Sequence, residues 1–477
     1  MLSLNVRIRN RLRMAYVLTD LLTSSVAIFL FNVFRWHTHD TVGSLANFYS
    51  LPQVWGGQII FPLILMALYW LSGYYNEVER RSRAQELIST MGSSTLGSLA
   101  IFFLAVVNDS HWRRRIVFEH LFVAAGLIFV CVYIGRFLIT RIVVKRVHDR
   151  HNTDAAIMVG TDADAVGLAR RINSLRKGMG INVTRFLQLS PDAAVDPRCG
   201  EFGVIQRKEL RRYCSDHAVN HFILTPRALT DGVDLAEFMR LAYDLQGALF
   251  LAPDVNTVAL ASGRSFNVMG EPLVCISTPN ISFSTANMKR TIDVIASVVA
   301  LIVFSPVFAL LAIGVKCDSK GPVFFRQTRL GLGGKPFRII KFRSMVVNAE
   351  PDGRAMVTVD GDPRITRFGR FLRKYRLDEL PQFWNVLRGE MSLVGPRPER
   401  REFADRIAER VPLYPMLYQV RPGITSWGMV RYGYASDVDQ MVERLRYDLI
   451  YLESISISTD LKILLHTVNT VVSGRGK

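Results

Sequence analysis

Four apolar runs of about 20 residues occupy the first third of the chain, at Met14–Phe34, Val54–Tyr74, Leu87–Val107 and Phe118–Ile139. At roughly 1.5 Å per residue, each helix reaches the ~30 Å thickness of a hydrocarbon core. None has the polar face that a helix of a soluble bundle turns to water. The pattern predicts four transmembrane helices joined by short loops. Asp20 interrupts the first run. It lies close enough to one end for its carboxylate to reach the interface, which is the expectation; an inter-helix site is the alternative for an intramembrane acid.

From Asn152 to Asn267 the pattern changes to short apolar runs separated by amphipathic stretches. DAAIMVG (Asp154–Gly160), HFILT (His221–Thr225) and GALFLAP (Gly247–Pro253) read as buried strands, and Ala163–Ser174 and Leu235–Leu245 as helices. Strands alternating with helices argue for a parallel α/β unit. The loop after the first strand, GTDADAVG, lacks the closely spaced glycines of a dinucleotide fingerprint, so a structural or regulatory module is expected there. Cys214, His217 and His221 invite a metal reading, but His221 begins a strand and the three share no helical face.

A further apolar run, Ile292–Val315, is interrupted by Ser305-Pro306. Proline has no N–H to give and its ring clashes with the preceding turn, so the helix must kink or break. Lys289 and Arg290 precede the run; Lys316 and Lys320 follow it. A straight fifth span would put the two basic pairs on opposite sides of a membrane. A re-entrant helix over 289–316 keeps both on one side, each half being ~20 Å long and too short to cross. Asp293 is expected to pair with a basic neighbour.

Beyond it the pattern is polar. Val323–Gln327 and Phe337–Phe342 read as strands around the glycine turn GLGGK, whose spacing is wrong for a phosphate loop. In LDELPQFWNVLR (Leu377–Arg388), Asp378 is placed to N-cap a helix with Pro381 in its first turn and Gly389 as its stop. On local pattern alone this is a cap followed by a solvated Glu379. The surroundings alter that reading. Arg364, Arg367, Arg370, Arg373, Lys374 and Arg376 lead into the acid pair, Lys341 and Arg343 lie on the preceding strand, and Arg397 follows between two prolines. Guanidinium groups clamp phosphate oxygens, while paired acids do chemistry or hold a metal, so a substrate with several phosphates suits this set.

Net charge and composition sharpen the class. The 477 residues are 49% apolar with a formal net charge of +18, which fits a membrane protein with basic faces or a nucleic-acid binder. The chain has no aromatic stacking run, finger or recognition-helix motif, and nucleic acid is set aside. Arg7, Arg9, Arg11 and Arg13, the loop residues Arg80, Arg81 and Arg83, and Arg141, Lys145, Arg146 and Arg150 place both ends of the four-helix region inside; Arg113, Arg114 and Arg115 oppose this. The five cysteines are scattered, as in a reducing compartment, and no cleavable leader is read.

From about Met288 to Lys477 the chain resembles the bacterial sugar transferases, the monotopic phosphoglycosyl transferases. The resemblance rests on KRTIDVIAS, the Ser305-Pro306 break, SKGPVFFRQTRLG, FRIIKFRSM, DPRITRFGRFLRKYRLDELPQFWNVLRGEMSLVGPRPE, RPGIT and YDLIYLESISISTDLKILLHT. The N-terminal spans and the middle unit are similar to those of the larger members, the polyprenyl glycosylphosphotransferases. The resemblance implies a multidomain membrane protein: a four-helix transmembrane bundle (1–150), a Rossmann-like α/β middle domain (151–280), and a re-entrant membrane helix plus α/β catalytic domain (281–477). It implies transfer of a sugar-1-phosphate from a UDP-sugar to undecaprenyl phosphate, giving undecaprenyl-diphosphate-sugar and UMP, as the first membrane step toward capsule, O-antigen or exopolysaccharide. Carried over, Asp378 is the nucleophile and Mg²⁺ ligand, Glu379 its partner acid and Arg373 a phosphate contact; Arg397, Lys341, Arg343 and Arg364 are further phosphate-binding candidates. The expected setting is the bacterial inner membrane, multi-pass, with the catalytic domain cytoplasmic, membrane lipids around it and a homodimer as the assembly. Three departures stand out: Arg376 where a small hydroxyl residue is commoner, Glu390 for an Asp, and SWGMVRYGYA after RPGIT. The competing readings are a membrane-bound nucleotide-sugar dehydratase, which needs a glycine-rich NAD fingerprint that this chain lacks, and a non-catalytic membrane scaffold or sensor.

Overall fold

The computed structural model describes all residues except 1, 39–42, 77–82, 107–113, 148–153, 175–180, 191–192, 218, 220, 231–232, 246, 253–264, 269–270, 277–280, 348, 350–355, 357–360, 434, 436 and 474–477. Backbone packing divides it into two compact units, Met1–Thr153 with Ser282–Met288, and Asp154–Ile281 with Lys289–Lys477.

The first unit holds helices α1 (Leu2–Thr38), α2 (Pro52–Leu71), α3 (Arg83–Ile101) and α4 (Arg114–Val147). Each contains a stretch long and apolar enough to cross a membrane. Its core is built from Tyr16, Ile28, Phe31, Leu65, Tyr69, Ile101 and Ile128, while Leu18, Leu22, Ile60, Leu96 and Phe122 face outward, as lipid-facing side chains do. The Asp20 expectation is corrected here. The side chain does not reach an interface but is 0% exposed, and Arg136 grips it with two bonds, Nε to Oδ1 at 2.9 Å and Nη2 to Oδ2 at 2.7 Å. Tyr75 donates its hydroxyl to the same carboxylate (2.8 Å), and Arg136 Nη1 donates to Thr90 (2.8 Å). A fully satisfied pair deep between helices is the arrangement in which an intramembrane charge is tolerated. Arg80, Arg81, Arg113 and Arg150, used above for orientation, lie outside the described residues.

In the second unit a seven-stranded sheet is formed by β1 (Asp154–Val159), β2 (Ile181–Gln188), β3 (Val204–Gln206), β4 (His221–Leu224), β5 (Leu249–Leu251), β6 (Ser265–Val268) and β7 (Glu271–Cys275). The strand order is β3-β2-β1-β4-β5-β7-β6; the first five are parallel, and β7 runs antiparallel to both its neighbours. Helices α5 (Ala163–Ser174) and α6 (Leu235–Asp244) occupy the two stretches with helical periodicity. Apolar clusters cover the sheet on both faces, which is why β4 and β5 read as unbroken apolar runs.

Helices α7 (Phe283–Val303) and α8 (Ser305–Asp318) meet at a 63° bend. Pro306 cannot supply the N–H that Ile302 O would take in a continuous helix; the Ser305 hydroxyl donates to that carbonyl instead (2.7 Å). The polar ends are pinned. Lys289 pairs with Asp460, Arg290 donates to Val386 O (2.6 Å) and Leu387 O (2.9 Å), and Arg343 Nη2 donates to Ser319 O (2.6 Å). Asp293 accepts the Leu393 N–H (2.9 Å), and among the described residues it makes no ion pair with a basic side chain: a backbone donor satisfies it inside the fold.

The remaining elements position the site. Strands β8 (Phe324–Leu330) and β9 (Pro336–Phe342) form an antiparallel ribbon, closed by a turn in which Gly333 and Gly334 take φ of 68° and 65°. Helix α9 (Arg367–Lys374) is followed by a 3₁₀ turn (Leu377–Glu379) and helix α10 (Gln382–Arg388), which stops at Gly389 in the left-handed region. Short parallel strands β10 (Ser392–Val394) and β11 (Gly423–Thr425) precede helices α11 (Val438–Glu453) and α12 (Ile457–Val472).

Candidate active site

Asp378 does not cap a helix. It sits inside the 3₁₀ turn, whose bonds run Glu379 N to Arg376 O (3.1 Å) and Leu380 N to Leu377 O (3.3 Å); Pro381 is the residue flanking α10. Pro381 has no N–H to extend α10 backward, and Arg376 leaves α9 at φ 55°, so the chain turns tightly between the helices. The turn projects Asp378 into a cavity of about 1040 Å³. Around it stand the β8–β9 ribbon, α9, the 397–400 loop and α11.

The two acids are equally buried, Asp378 at 7% exposure and Glu379 at 6%. Their partners differ. Glu379 Oε1 accepts from Lys341 Nζ (2.7 Å), and its Oε2 faces Arg376 Nε at 3.5 Å. Among the described residues Asp378 makes no ion pair, and its carboxylate lines the cavity. Burial lifts the Asp378 carboxyl above the ordinary carboxylate range, against the pull of Lys341 and with help from the Glu379 charge. Burial also acts on Glu379, but Lys341 and Arg376 outweigh it and hold that carboxyl well below its usual range. One acid is fixed as a charge partner and the other is available.

Nine arginine or lysine side chains and three carboxylates line the cavity among the described residues. Arg373 is aimed by Ser344, to whose hydroxyl its Nε donates (2.9 Å). That contact depends on Gly369, where a Cβ would lie 2.0 Å from Ser344 O. Lys341, Arg364, Arg373 and Arg397 line the same cavity as Asp378. Arg364 is also bonded to Asp362, Nε to Oδ1 at 2.8 Å and Nη2 to Oδ2 at 2.5 Å, and these bonds hold the Asp362 carboxyl down at about 2. Arg343 lines the wall as well, but its Nη2 serves the carbonyls at the end of α8. Ser305 and Pro306 lie at the helix break.

A second cationic group was not foreseen. Glu399 accepts from Arg444 Nη2 (2.5 Å) and lies 3.5 Å from Arg329 Nη1 and 3.8 Å from Arg397 Nε. Burial, with Arg397 and Arg400 nearby, pushes the Arg329 guanidinium down to about 10 although Glu399 opposes it. A signal for Arg444 exists in the sequence: it falls on the α11 stripe Met441, Leu445, Tyr451 and Leu452, one of two charges, with Asp448, on that buried face. Its acid partner, 45 residues away, carries no such mark.

The family model described as bacterial sugar transferase matches residues 284–474. A UDP-N-acetylgalactosamine-undecaprenyl-phosphate N-acetylgalactosaminephosphotransferase of Aeromonas hydrophila is 46% identical over 40% of this chain and 45% of its own length. A UDP-glucose:undecaprenyl-phosphate glucose-1-phosphate transferase of Escherichia coli (strain K12) is 36% identical over 52% of this chain and 54% of its own. The chain thus spans about half the length of these two relatives. An uncharacterized sugar transferase of Haemophilus influenzae is 31% identical over 80% of this chain and 81% of its own length. With the matched region enclosing the acid pair, the cavity and the broken helix, the chain belongs to the bacterial sugar transferase family.

Proposed function

We propose that this protein transfers a sugar-1-phosphate from a UDP-sugar to undecaprenyl phosphate, with Asp378 as the nucleophile. The observation that carries this reading is the asymmetry of the acid pair: a buried carboxylate without an ion-pair partner among the described residues, facing a cavity ringed by cations. The names of the relatives supply the substrate class. In the first step an Asp378 oxygen attacks the β-phosphorus. The bond from that phosphorus to the bridging oxygen breaks, and UMP leaves with the electron pair. In the second step an oxygen of the lipid phosphate attacks the same phosphorus and the Asp378 carboxylate is released. Lys341 and Arg373 offset charge at the phosphates in both steps, in a site where burial strengthens their effect.

Among the described residues no three His, Cys, Asp or Glu side chains gather as a metal site. Asp378 would offer one hard oxygen to an Mg²⁺ ion, with substrate phosphate and water left to fill its other positions. Mg²⁺ bound in this way supplies charge neutralisation at the transferring phosphate. Chelation by EDTA is expected to stop UMP release and added Mg²⁺ to restore it; turnover in EDTA would remove Mg²⁺ from the proposal.

The finer architecture belongs to the same reading. The 3-2-1-4-5 parallel order supports a Rossmann-like middle domain of structural or regulatory use. The bend at Ser305-Pro306 supports a re-entrant hairpin that holds the site at the cytoplasmic face of the inner membrane, where a soluble nucleotide meets a lipid phosphate. A homodimer is the assembly proposed, and native mass measurement in lipid that returned a monomer would end it.

The decisive test is Asp378→Asn in detergent or nanodiscs, with UMP release from a UDP-sugar panel as the readout. Loss of release with retained folding is expected; wild-type turnover would refute the assignment.

A further inference from the structure

The cavity around Asp378 is cationic only in part. Strand β8 lines it with Phe325, Gln327 and Arg329, alternate residues that share one face of the strand. At about 3.3 Å per residue, the passage from aromatic ring to guanidinium takes roughly 13 Å. The Arg329 end meets Glu399, which also holds Arg444. The Phe325 end is apolar. Phe324, Phe325, Val346 and Val347 line the cavity and are close to half exposed, at 45%, 46%, 47% and 48%. Val347 belongs to this end because its Cγ2 lies 2.6 Å from where a Cβ on Gly321 would stand, three residues before Phe324. Large apolar side chains left open in a site that otherwise gathers charge point to an apolar ligand that covers them.

The same end is continuous with the broken helix. Phe324 lies opposite Phe342 in the ribbon and stacks on it, with ring centroids 5.3 Å apart. Phe342 meets Phe308 of α8 at 5.7 Å. Three rings thus lead from α8, whose Leu310 and Ile313 face outward, to the mouth of the cavity. Phe324 and Phe325 are consecutive and point to opposite faces of β8, so one extends the apolar surface of α8 and the other the cavity wall. We propose that this end of the cavity binds the isoprenoid chain of the acceptor, taking the units next to its phosphate, with Phe324, Phe325, Val346 and Val347 as the wall.

The chemistry of the two substrates selects this occupant. A UDP-sugar is polar along its whole length and suits the end that holds Arg329, Arg397 and Arg444. A polyprenyl phosphate is charged at one tip and hydrocarbon beyond it, which matches a wall that passes from cation to ring. The junction is in the right place. Phe325 lies opposite Lys341 in the ribbon, and Lys341 Nζ bonds Glu379, the residue after Asp378. A chain seated on Phe325 therefore holds its phosphate beside the acid pair. There a phosphate oxygen forms its bond to the sugar-bearing phosphorus as the bond from that phosphorus to Asp378 breaks. The inference rests on the two-step reaction proposed above and adds the residues that receive the lipid.

The test uses the full chain in detergent and compares Phe324→Ser/Phe325→Ser with Phe324→Leu/Phe325→Leu. Both positions are half exposed, so neither pair of substitutions opens the core. Single-turnover UMP release from a UDP-sugar without lipid reads the first step and is expected to be unchanged in both. Turnover with undecaprenyl phosphate and with the short farnesyl phosphate reads the second. The serine pair is expected to lower kcat/KM for both acceptors roughly tenfold or more, with kcat/KM for the UDP-sugar little changed, and the leucine pair to stay near wild type. Val346→Ser/Val347→Ser, which leaves the ribbon intact, carries the same expectation as the serine pair. Wild-type kcat/KM for both acceptors in the serine variants would overturn the inference. Loss of single-turnover release would also overturn it, by putting the wall on the donor side. So would an effect on undecaprenyl phosphate alone, because rings that only anchor the protein in lipid do not act on a short chain. UMP release by Asp378→Asn would instead remove the reaction on which the inference rests.

Discussion

Asp378 and Glu379 are neighbours in sequence and equal in burial, yet their surroundings differ in what each touches. The Asp378 carboxyl is raised, so it binds its proton more tightly in the fold than in the open chain. Its contribution to stability is complete below the ordinary carboxylate range and is lost as pH rises through the raised value. At neutral pH the ionised side chain thus costs stability. Asp378→Asn is expected to raise the melting temperature in detergent, by the equivalent of roughly 1–2 kcal/mol, while abolishing UMP release. A variant both inactive and less stable would mean that the carboxylate is structural. The same shift fixes the pH dependence. In the proposed mechanism the attacking species is the carboxylate, so single-turnover UMP release should fall on acidification through a limb above the usual carboxylate range. A limb at or below that range would contradict the burial argument.

At the scale of the element, the helix pair α7–α8 depends on its break. A continuous helix from Phe283 to Asp318 would run about 54 Å, long enough to cross a membrane, whereas the two halves separated by 63° are not straight enough to do so as one rod. Pro306→Ala restores the missing N–H to Ile302 O and releases Ser305 from that carbonyl. The variant is expected to insert and accumulate but lose at least ~10-fold in turnover, because displacement of the site from the lipid phosphate destroys orientation. Unchanged turnover would show that the break is dispensable. The break was legible in the sequence because proline acts locally, as were the four spans and the β8–β9 turn, where periodicity and glycine act within a few residues. What could not be read was set by distant partners. Asp20 looked like an interfacial acid because nothing nearby names Arg136, 116 residues on. Glu399 carried no sign of Arg444. The helix cap expected at Asp378 failed for a local reason that sequence does not reveal, an arginine in the left-handed region.

At the scale of the molecule, membrane topology follows from where the ends of α7–α8 are tied. The entering end is bonded to α10 and α12 and, through Asp293, to the start of β10; the leaving end is bonded to Arg343, directly after β9. All these partners belong to one compact unit. A membrane-crossing rod would carry its ends to opposite faces, and one polar fold cannot hydrogen-bond both across ~30 Å of hydrocarbon. This supports the proposed re-entrant reading, in which both ends lie on the same side. Cys317 is exposed near the leaving end, and Ser284 is exposed near the entering end. A membrane-impermeant maleimide is expected to label Cys317 in the wild type, and Ser284→Cys in a Cys317→Ser background, from the cytoplasmic face only, so inverted vesicles react and intact spheroplasts do not. Labelling of the two positions from opposite faces would establish a fifth span. The sugar donor would then have no common aqueous face with both ends of the hairpin, and the interfacial site built on that hairpin would have to be abandoned.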